Sequence, residues 1–564
     1  MTPLGIPTTL HDSLMARLHR LASARLVAQI GTAIGREFSY QLLQHAVSRL
    51  PDDELKAALA RLVASELVFQ RGVPPDAIYA FKHALVQDAA HGSLLRSSRL
   101  QLHAQIAEAL ETHFPELMDT QPELFAQHYT EARLIEKSVA FWGKAGQRSV
   151  ARSAMAEAAA QFQKALDQLA LLPATRERRR QQLEFCSARS TALQASKGYA
   201  APETGQAYAR ARELWEELGS PSEFLQIPYG QSLYHVSRGE LNLGLRLDEG
   251  LVRLSRQRND AAGLVLGHLS LGRDFHPAGR FAPSRSHLEE ALALYNSTSD
   301  GSPVQQAVVH PQVASQAYLG NVLFCLGFPD QALAKSNAAI AEARRLAHLP
   351  SLAASLVYSA RILSLVGENE ALEERSDELV AVTTEGGFPH WGAIGVIYRG
   401  WVKVRSGDVA QGVSLLRSGS RAFGATGAEN WTTHHTALLA RACEIAGQIE
   451  EAMTQLNDAL QIAERTGERW LEAELYRHKG QLLLRQRHSE ASEGLYRKAL
   501  SIAQEQEAKL WELRAAASLA RLRRNQGRRA EARDMLAPVY GWFTEGFGTP
   551  DLKEARALLE ELDV

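Results

Sequence analysis

Cysteine is scarce in this chain. Cys186, Cys325 and Cys443 are the three among 564 residues, and they lie far apart. None has CxxC spacing or sits in a Cys/His ligand pattern, so neither a disulfide framework nor a zinc site is expected. Their expected role is that of small buried apolar side chains in a reducing compartment. An excess of charge of either sign is absent too: 62 Lys and Arg face 64 Asp and Glu, for a net charge of −2. Such a balance gives no general attraction to nucleic acid or to an anionic membrane. No apolar run approaches the ~18 residues of a membrane span. The first nine residues lack the basic and apolar regions of a signal peptide, so a cytoplasmic location is expected. Signatures of catalysis are missing as well. The chain has no GxSxG, no HExxH and no Cys/His nucleophile motif. His91, His103, His113 and the pair His434–His435 form no metal-ligand set. No enzymatic activity, no metal and no cofactor are expected of this chain alone.

Small residues, in contrast, recur on a fixed period. Gly320, Ala360, Gly400, Ala440, Gly480 and Ala520 are forty positions apart. Seven residues after each comes a second position, occupied by Gly327, Gly367, Gly407, Gly447 and Gly527, with Arg487 the one exception. Gly239 and Gly279 carry the ladder backwards, and the step from Gly279 to Gly327 is forty-eight. That places an eight-residue insertion in the polar stretch Asn296 to Gln306. A period of this length means stacked helical hairpins. Each hairpin buries its apolar face only against its neighbours, so stability accumulates along the stack. Further small residues keep step, as in Gly320, Ala332 and Ala339, or Ala440, Ala452 and Ala459, or Ala520, Ala532 and Val539. An earlier unit gives Gly146, Ala158 and Ala165, with Phe162 between them. These spacings resemble the tetratricopeptide pattern, in which small side chains sit where two antiparallel helices cross. A larger side chain there would force the helices apart. The second glycine suits the left-handed residue that ends the first helix.

Trp391, Trp431, Trp470 and Trp511 stand nine or ten residues before Gly400, Ala440, Gly480 and Ala520. At that offset an aromatic side chain starts each first helix and packs on the preceding repeat. The same four tryptophans are the candidates for a partner or ligand surface. Two arginine runs, at Arg176, Arg178, Arg179 and Arg180 and at Arg521, Arg523, Arg524, Arg528 and Arg529, read as solvated helix faces and ends. Asp551 to Val564 reads as a polar helix capping the stack.

The first 115 residues lack the repeat. Thr9 and Asp12 start a helix carrying Leu14, Leu18 and Leu21 on one face. Further helices are expected over Ser23–Ile34, ended by Gly35, over Ser39–Val47, and from Pro51 through Leu67, with Asp52, Asp53 and Glu54 at the favourable end. Two β-like runs, Leu67–Gln70 and Ile78–Phe81, flank the turn-rich RGVPPDA. Helices followed by a hairpin describe a winged helix. Eleven Lys or Arg against ten Asp or Glu in residues 1–115 leave no basic excess for reading DNA, so a packing and regulatory module is expected. The fold expected overall is mostly α. It comprises a winged-helix-like domain over 1–115, a helical connector over 116–230 with a first tetratricopeptide-like unit at 141–173, and an α-solenoid of about eight hairpins over 231–564.

Several segments carry a resemblance: IPTTLHDSLMARLHRL at 6–21, VAQIGTAIGREFSYQLL at 27–43, LVFQRGVPPDAIYAFKHALVQDAAHGSLLRSSRLQLHAQIAEALE at 67–111 and FWGKAGQRSVARSAMAEAAAQF at 141–162. Together they resemble a bacterial family of predicted signalling ATPases, the adenylate/guanylate cyclase-linked ATPases with tetratricopeptide repeats, within the wider class of signal-transduction ATPases with numerous domains. The resemblance implies that a P-loop nucleotide-binding domain, often behind a cyclase, precedes the winged helix and solenoid. The chain starts where that domain ends, and Met1 marks a truncated or split reading frame or a domain kept alone. It contains no GxxxxGK[ST], hence no loop of amides to cradle phosphates and no lysine to reach them. ATP or ADP is therefore expected only with the missing domain. His83, in FKHALVQD, matches a histidine that reports on ADP phosphates in related switch ATPases; its other reading is a cap on the following helix. The expected partners are a protein or peptide held by the concave face of the solenoid, or a small-molecule inducer. Neither nucleic acid nor membrane is expected.

Overall fold

A computed structural model describes residues 21–47, 50–92, 94–297 and 307–563. The expected helix at Thr9, with Leu14 and Leu18, lies outside them, as does most of the expected insertion. The chain divides into two compact units. One comprises the described residues up to Ser149 with Ala160–Arg178, the other Val150–Ala159 with the described residues from Arg179 onward.

In the first unit the helices Ala22–Ile34, Tyr40–Ala46 and Asp52–Ala64 surround a three-stranded antiparallel sheet whose first strand in sequence pairs with the third, and the third with the second. Strands β2 (Val68–Arg71) and β3 (Ile78–Phe81) form the hairpin expected from the sequence. Strand β1, Glu37–Ser39, was not expected. It is three residues long and takes its definition from a distant partner, Phe38 opposite Tyr79, which local periodicity does not reveal. Ser39 ends β1 and caps the next helix, its hydroxyl accepting from the Leu42 N–H at 3.1 Å. Gly31 permits the close approach of Phe38, whose ring would lie 2.7 Å from a Cβ there. Further along, Gly146 accommodates Phe162 in the same way.

In the second unit, eight helix pairs run from Gln226 to Gly541, followed by the single helix Pro550–Asp563. Within each pair the helices touch, and the first helices of most successive pairs also touch one another, forming an inner layer. The ladder residues sit at the crossings. A Cβ on Gly400 would come within 2.8 Å of the Leu416 nitrogen and 2.9 Å of the Gly412 carbonyl. Ala332, Ala339, Ala360, Ala440, Ala452, Ala459, Ala520 and Ala532 are fully buried. Val539 is only half-buried, beside Pro538 near the end of its helix. The stretch KGYAAPETG separates the helices Arg176–Lys197 and Pro202–Glu217, with Gly198 left-handed between them.

The second glycines are left-handed, with φ from +74° at Gly279 to +97° at Gly407. Arg487, the exception in sequence, adopts the same conformation at φ +67°. Its N–H donates to the Leu484 carbonyl and that of His488 to the Leu483 carbonyl, the Schellman arrangement. A non-glycine residue there costs about 1–2 kcal/mol. Arg487→Gly is therefore expected to stabilise the pair by roughly 0.5–1 kcal/mol after the greater freedom of glycine in the unfolded chain is counted. The urea midpoint should rise with the m-value unchanged; a lower midpoint contradicts the assignment. A second left-handed series ends the second helices: Ala347, Gly387, Gly427, Gly467 and Glu507, again forty apart.

The inner layer winds tightly. Ser237, at the end of the first pair's inner helix, accepts from the N–H groups of Glu429 and Asn430, which open the sixth pair. Pro277 of the second pair accepts from Arg469 and Trp470, which open the seventh. Gly327 of the third pair lies against Lys509 and Trp542 of the eighth. Successive turns of the superhelix thus meet every five pairs, and the interior is filled with side chains. The concave face, expected to hold a partner, is largely filled by the chain's own side chains. Leu349–Val366, in this inner layer, is long and apolar enough to cross a membrane by length and composition, contrary to the expectation of no such run, and 78% of it is buried inside the unit. A helix with neighbours on every side becomes apolar all round; no other described helix meets that test.

Candidate functional site

The filled interior opens at its C-terminal end. There the end of the fourth pair's inner helix faces the helix Pro550–Asp563. A cavity of about 550 Å³ remains, lined by Gly367, Trp401, Gln481, Tyr496 and a series of arginines. Arg405, Arg441, Arg477 and Arg514 come from the inner helices of four consecutive pairs. Their spacings are 36, 36 and 37 residues, against a repeat of forty. Each arginine therefore sits one helical turn earlier than its predecessor, a diagonal that follows the winding of the solenoid into the mouth.

These guanidinium groups are unequally neutralised. Arg477 makes two bonds to Glu474, at 2.6 and 3.1 Å. Arg514 grips Asp551 through two bonds of 2.8 Å, reaches Glu474 at 3.1 Å and donates to the Leu365 carbonyl at 2.6 Å. Arg521 pairs with Glu554 at 2.8 Å. Arg405 is exposed, and neither it nor Arg441 has an ion-pair partner among the described residues. Arg441 lies over the Trp401 ring at 5.2 Å. Burial, with the neighbouring Arg477 and Arg514, lowers it to about 10, so it stays cationic at neutral pH in an environment that would favour an anion. Five guanidinium groups thus face three carboxylates, and the surplus lies on Arg405 and Arg441.

The four tryptophans do not reach this opening. Trp391, Trp431, Trp470 and Trp511 are 5% exposed or less and lie in the interior. The Trp511 indole donates to the Trp470 carbonyl at 3.0 Å, and the rings of Trp431, Trp470 and Trp511 follow one another at 5.6 and 6.4 Å. His83 is exposed after β3, and its carbonyl accepts from the Val86 N–H at 3.0 Å at the start of the helix Ala84–Gly92. His103 and His128 share one hydrogen between Nδ1 atoms 2.9 Å apart, and burial lowers His128 to about 3. His113 stacks on His45 at 3.6 Å. His434 and His435 are buried in the solenoid. Among the described residues no group of three or more His, Cys, Asp or Glu is placed to hold a metal. The three cysteines are free and buried, and burial pushes the Cys186 thiol up to about 11. Of the arginine runs, Arg521 and Arg524 pair with Glu554 and Glu561 of the last helix, as does Arg533 nearby with Asp563.

No family model matches this chain. It is 24% identical over 499 residues to an uncharacterized protein of Rhizobium meliloti, covering 87% of this chain and 48% of that protein. The chain thus spans about half the length of the curated relative it matches. Among solved structures, a Rap protein complexed with competence and sporulation factor is 13% identical, with a TM-score of 0.44 over 66% of this chain and 99% of that one. Yeast Tom70 is 11% identical, with a TM-score of 0.32 over 82% of this chain and 96% of that one. These scores lie below 0.5 and define no shared function.

Proposed function

We propose that this chain is a regulatory and scaffolding protein whose solenoid holds an acidic segment of a partner protein in the arginine-lined mouth. The surplus cation at Arg405 and Arg441 is the observation that carries this reading. Two guanidinium groups without carboxylates, beside the indole of Trp401, suit a carboxylate side chain and the apolar stem that bears it. A partner's carboxylates would complete the ion pairing that the chain's own residues leave unfinished. We also read the helices and three-stranded sheet of the first unit as a winged helix that relays occupancy to a nucleotide-binding module outside this chain, in the bacterial cytoplasm. In support of that relay, the hairpin presents Phe69 and Val73 outward, 57% and 76% exposed, an apolar surface for another domain.

A panel of labelled peptides differing only in net charge tests the binding. Acidic peptides should bind the full chain, less tightly as ionic strength rises. The double variant Arg405→Glu, Arg441→Gln should weaken them roughly tenfold or more, equivalent to ~1.4 kcal/mol. Equal binding of basic and acidic peptides, or no effect of the double variant, overturns the reading.

A further inference from the structure

A second, separate site lies deeper in the solenoid. Arg361 is fully buried on the inner helix Leu349–Val366. Its guanidinium carbon lies 3.6 Å from the centre of the Trp431 ring, 5.1 Å from that of Tyr358 and 5.9 Å from that of Trp470. None of its three guanidinium nitrogens has a hydrogen-bond partner of good geometry among the described residues. The Tyr398 hydroxyl lies beside it, within hydrogen-bonding reach of the guanidinium, while both ring nitrogens of His276, His434 and His435 have no partner among the described residues. His276 packs on Trp431 and Trp470, and His434 on Trp470.

Burying an uncompensated charge is strongly unfavourable. Stacking on a tryptophan offsets part of that, but leaves most of the five donor hydrogens without acceptors. The nearby carboxylate does not supply them. Glu468 accepts from the Trp431 N–H at 2.9 Å, the Thr433 hydroxyl at 2.6 Å and the Trp470 indole at 3.0 Å. Its burial raises it to about 7, so it is only partly charged at neutral pH. Arg361 borders a cavity of about 40 Å³, walled by Tyr229, Tyr318, Tyr358 and Trp391. That exceeds the ~10–15 Å³ needed by one water and is far too small for a sugar or nucleotide.

We infer that this cavity is a binding site for a small monoanion, of the size of chloride, formate or acetate, held by the Arg361 guanidinium. The anion supplies the missing acceptors, and the surrounding rings exclude water from the pair. The site is independent of the mouth, shares none of its arginines and takes a ligand no larger than a two-carbon carboxylate. Occupancy would also tie Arg361 to the tryptophans that join the sixth and seventh pairs.

Thermal unfolding of the full chain at constant ionic strength tests this, titrating chloride, formate or acetate against benzenesulfonate, a monoanion too large for the cavity. A saturable rise in Tm with at least one of the three is expected, and the anion that saturates at the lowest concentration identifies the preferred ligand. Arg361→Met should abolish the response. If that variant does not fold, Tyr398→Phe keeps the test decisive: the half-saturating concentration should rise severalfold. No saturable response in the wild type overturns the inference. So does a response unchanged in Arg361→Met or, where that variant is unfolded, unchanged in Tyr398→Phe.

Discussion

Replacing Arg273 by alanine is expected to destabilise the solenoid by roughly 3–5 kcal/mol, the range for stranding one partner of a buried ion pair. Arg273 is 2% exposed. It holds Asp274 through Nε at 2.5 Å and Nη2 at 3.1 Å, and the same Nη2 reaches the Ser232 hydroxyl at 3.1 Å and Asp248 at 3.4 Å. Burial, and then the Asp274 charge, push Asp248 well above the usual carboxylate range. The Arg273 guanidinium is the cation that holds both carboxyl groups. Removing the cation leaves the Asp274 and Asp248 carboxyl groups in the interior without the donor that holds them. The double variant Arg273→Met, Asp274→Leu removes both charges and should recover most of the loss, because apolar substitutes for a buried pair are often neutral or better. Urea unfolding of the single and double variants reads both effects. A loss below about 1 kcal/mol for Arg273→Ala would mean that the pair is hydrated and that the interior is more open than described.

Trp470→Ala is the second substitution with a large expected effect, roughly 3–5 kcal/mol for a buried tryptophan. Trp470 is 1% exposed. Its backbone N–H reaches the Pro277 carbonyl at 3.1 Å, its own carbonyl accepts from Trp511, and its indole donates to Glu468. It therefore joins one turn of the superhelix to the next as well as one pair to its neighbour. Truncation should accelerate amide exchange in Ala261–Phe275 together with Glu472–Arg485, helices that are remote in sequence. Faster exchange confined to Glu472–Arg485 would contradict the contact between turns.

Much of the solenoid is legible in the sequence, because its physics is local and periodic. A crossing of two helices needs a small residue, a reversal needs a left-handed one, and both recur every forty positions. Arg487 breaks the glycine pattern in letters but keeps it in conformation. The second left-handed series escapes the eye because Ala347 and Glu507 share it with three glycines. The arginine diagonal is missed for a different reason. A search in phase with the repeat compares equivalent positions, while the superhelix brings together positions that slip by one turn per pair. Arg405 and Arg441 become neighbours only once the winding is known. Arg361 carries a fainter signal: a single cation within SLAASLVYSARILSLV, a stretch otherwise suited to a core helix. The tryptophans do keep the repeat register, but the tight winding turns what could have been a stripe along an open groove into interior packing.

The mouth is the feature on which the functional account stands, and an unbiased selection tests it most directly. Random peptides would be selected on the immobilised full chain, and the enriched sequences cross-linked to it. Enrichment of Asp and Glu is expected, with cross-links to the helices Pro389–Arg405, Thr432–Ile445 and Glu472–Arg485, and loss of enrichment with Arg405→Glu, Arg441→Gln. Enrichment without acidic preference, or cross-links confined to the outer helices, would contradict binding at the mouth.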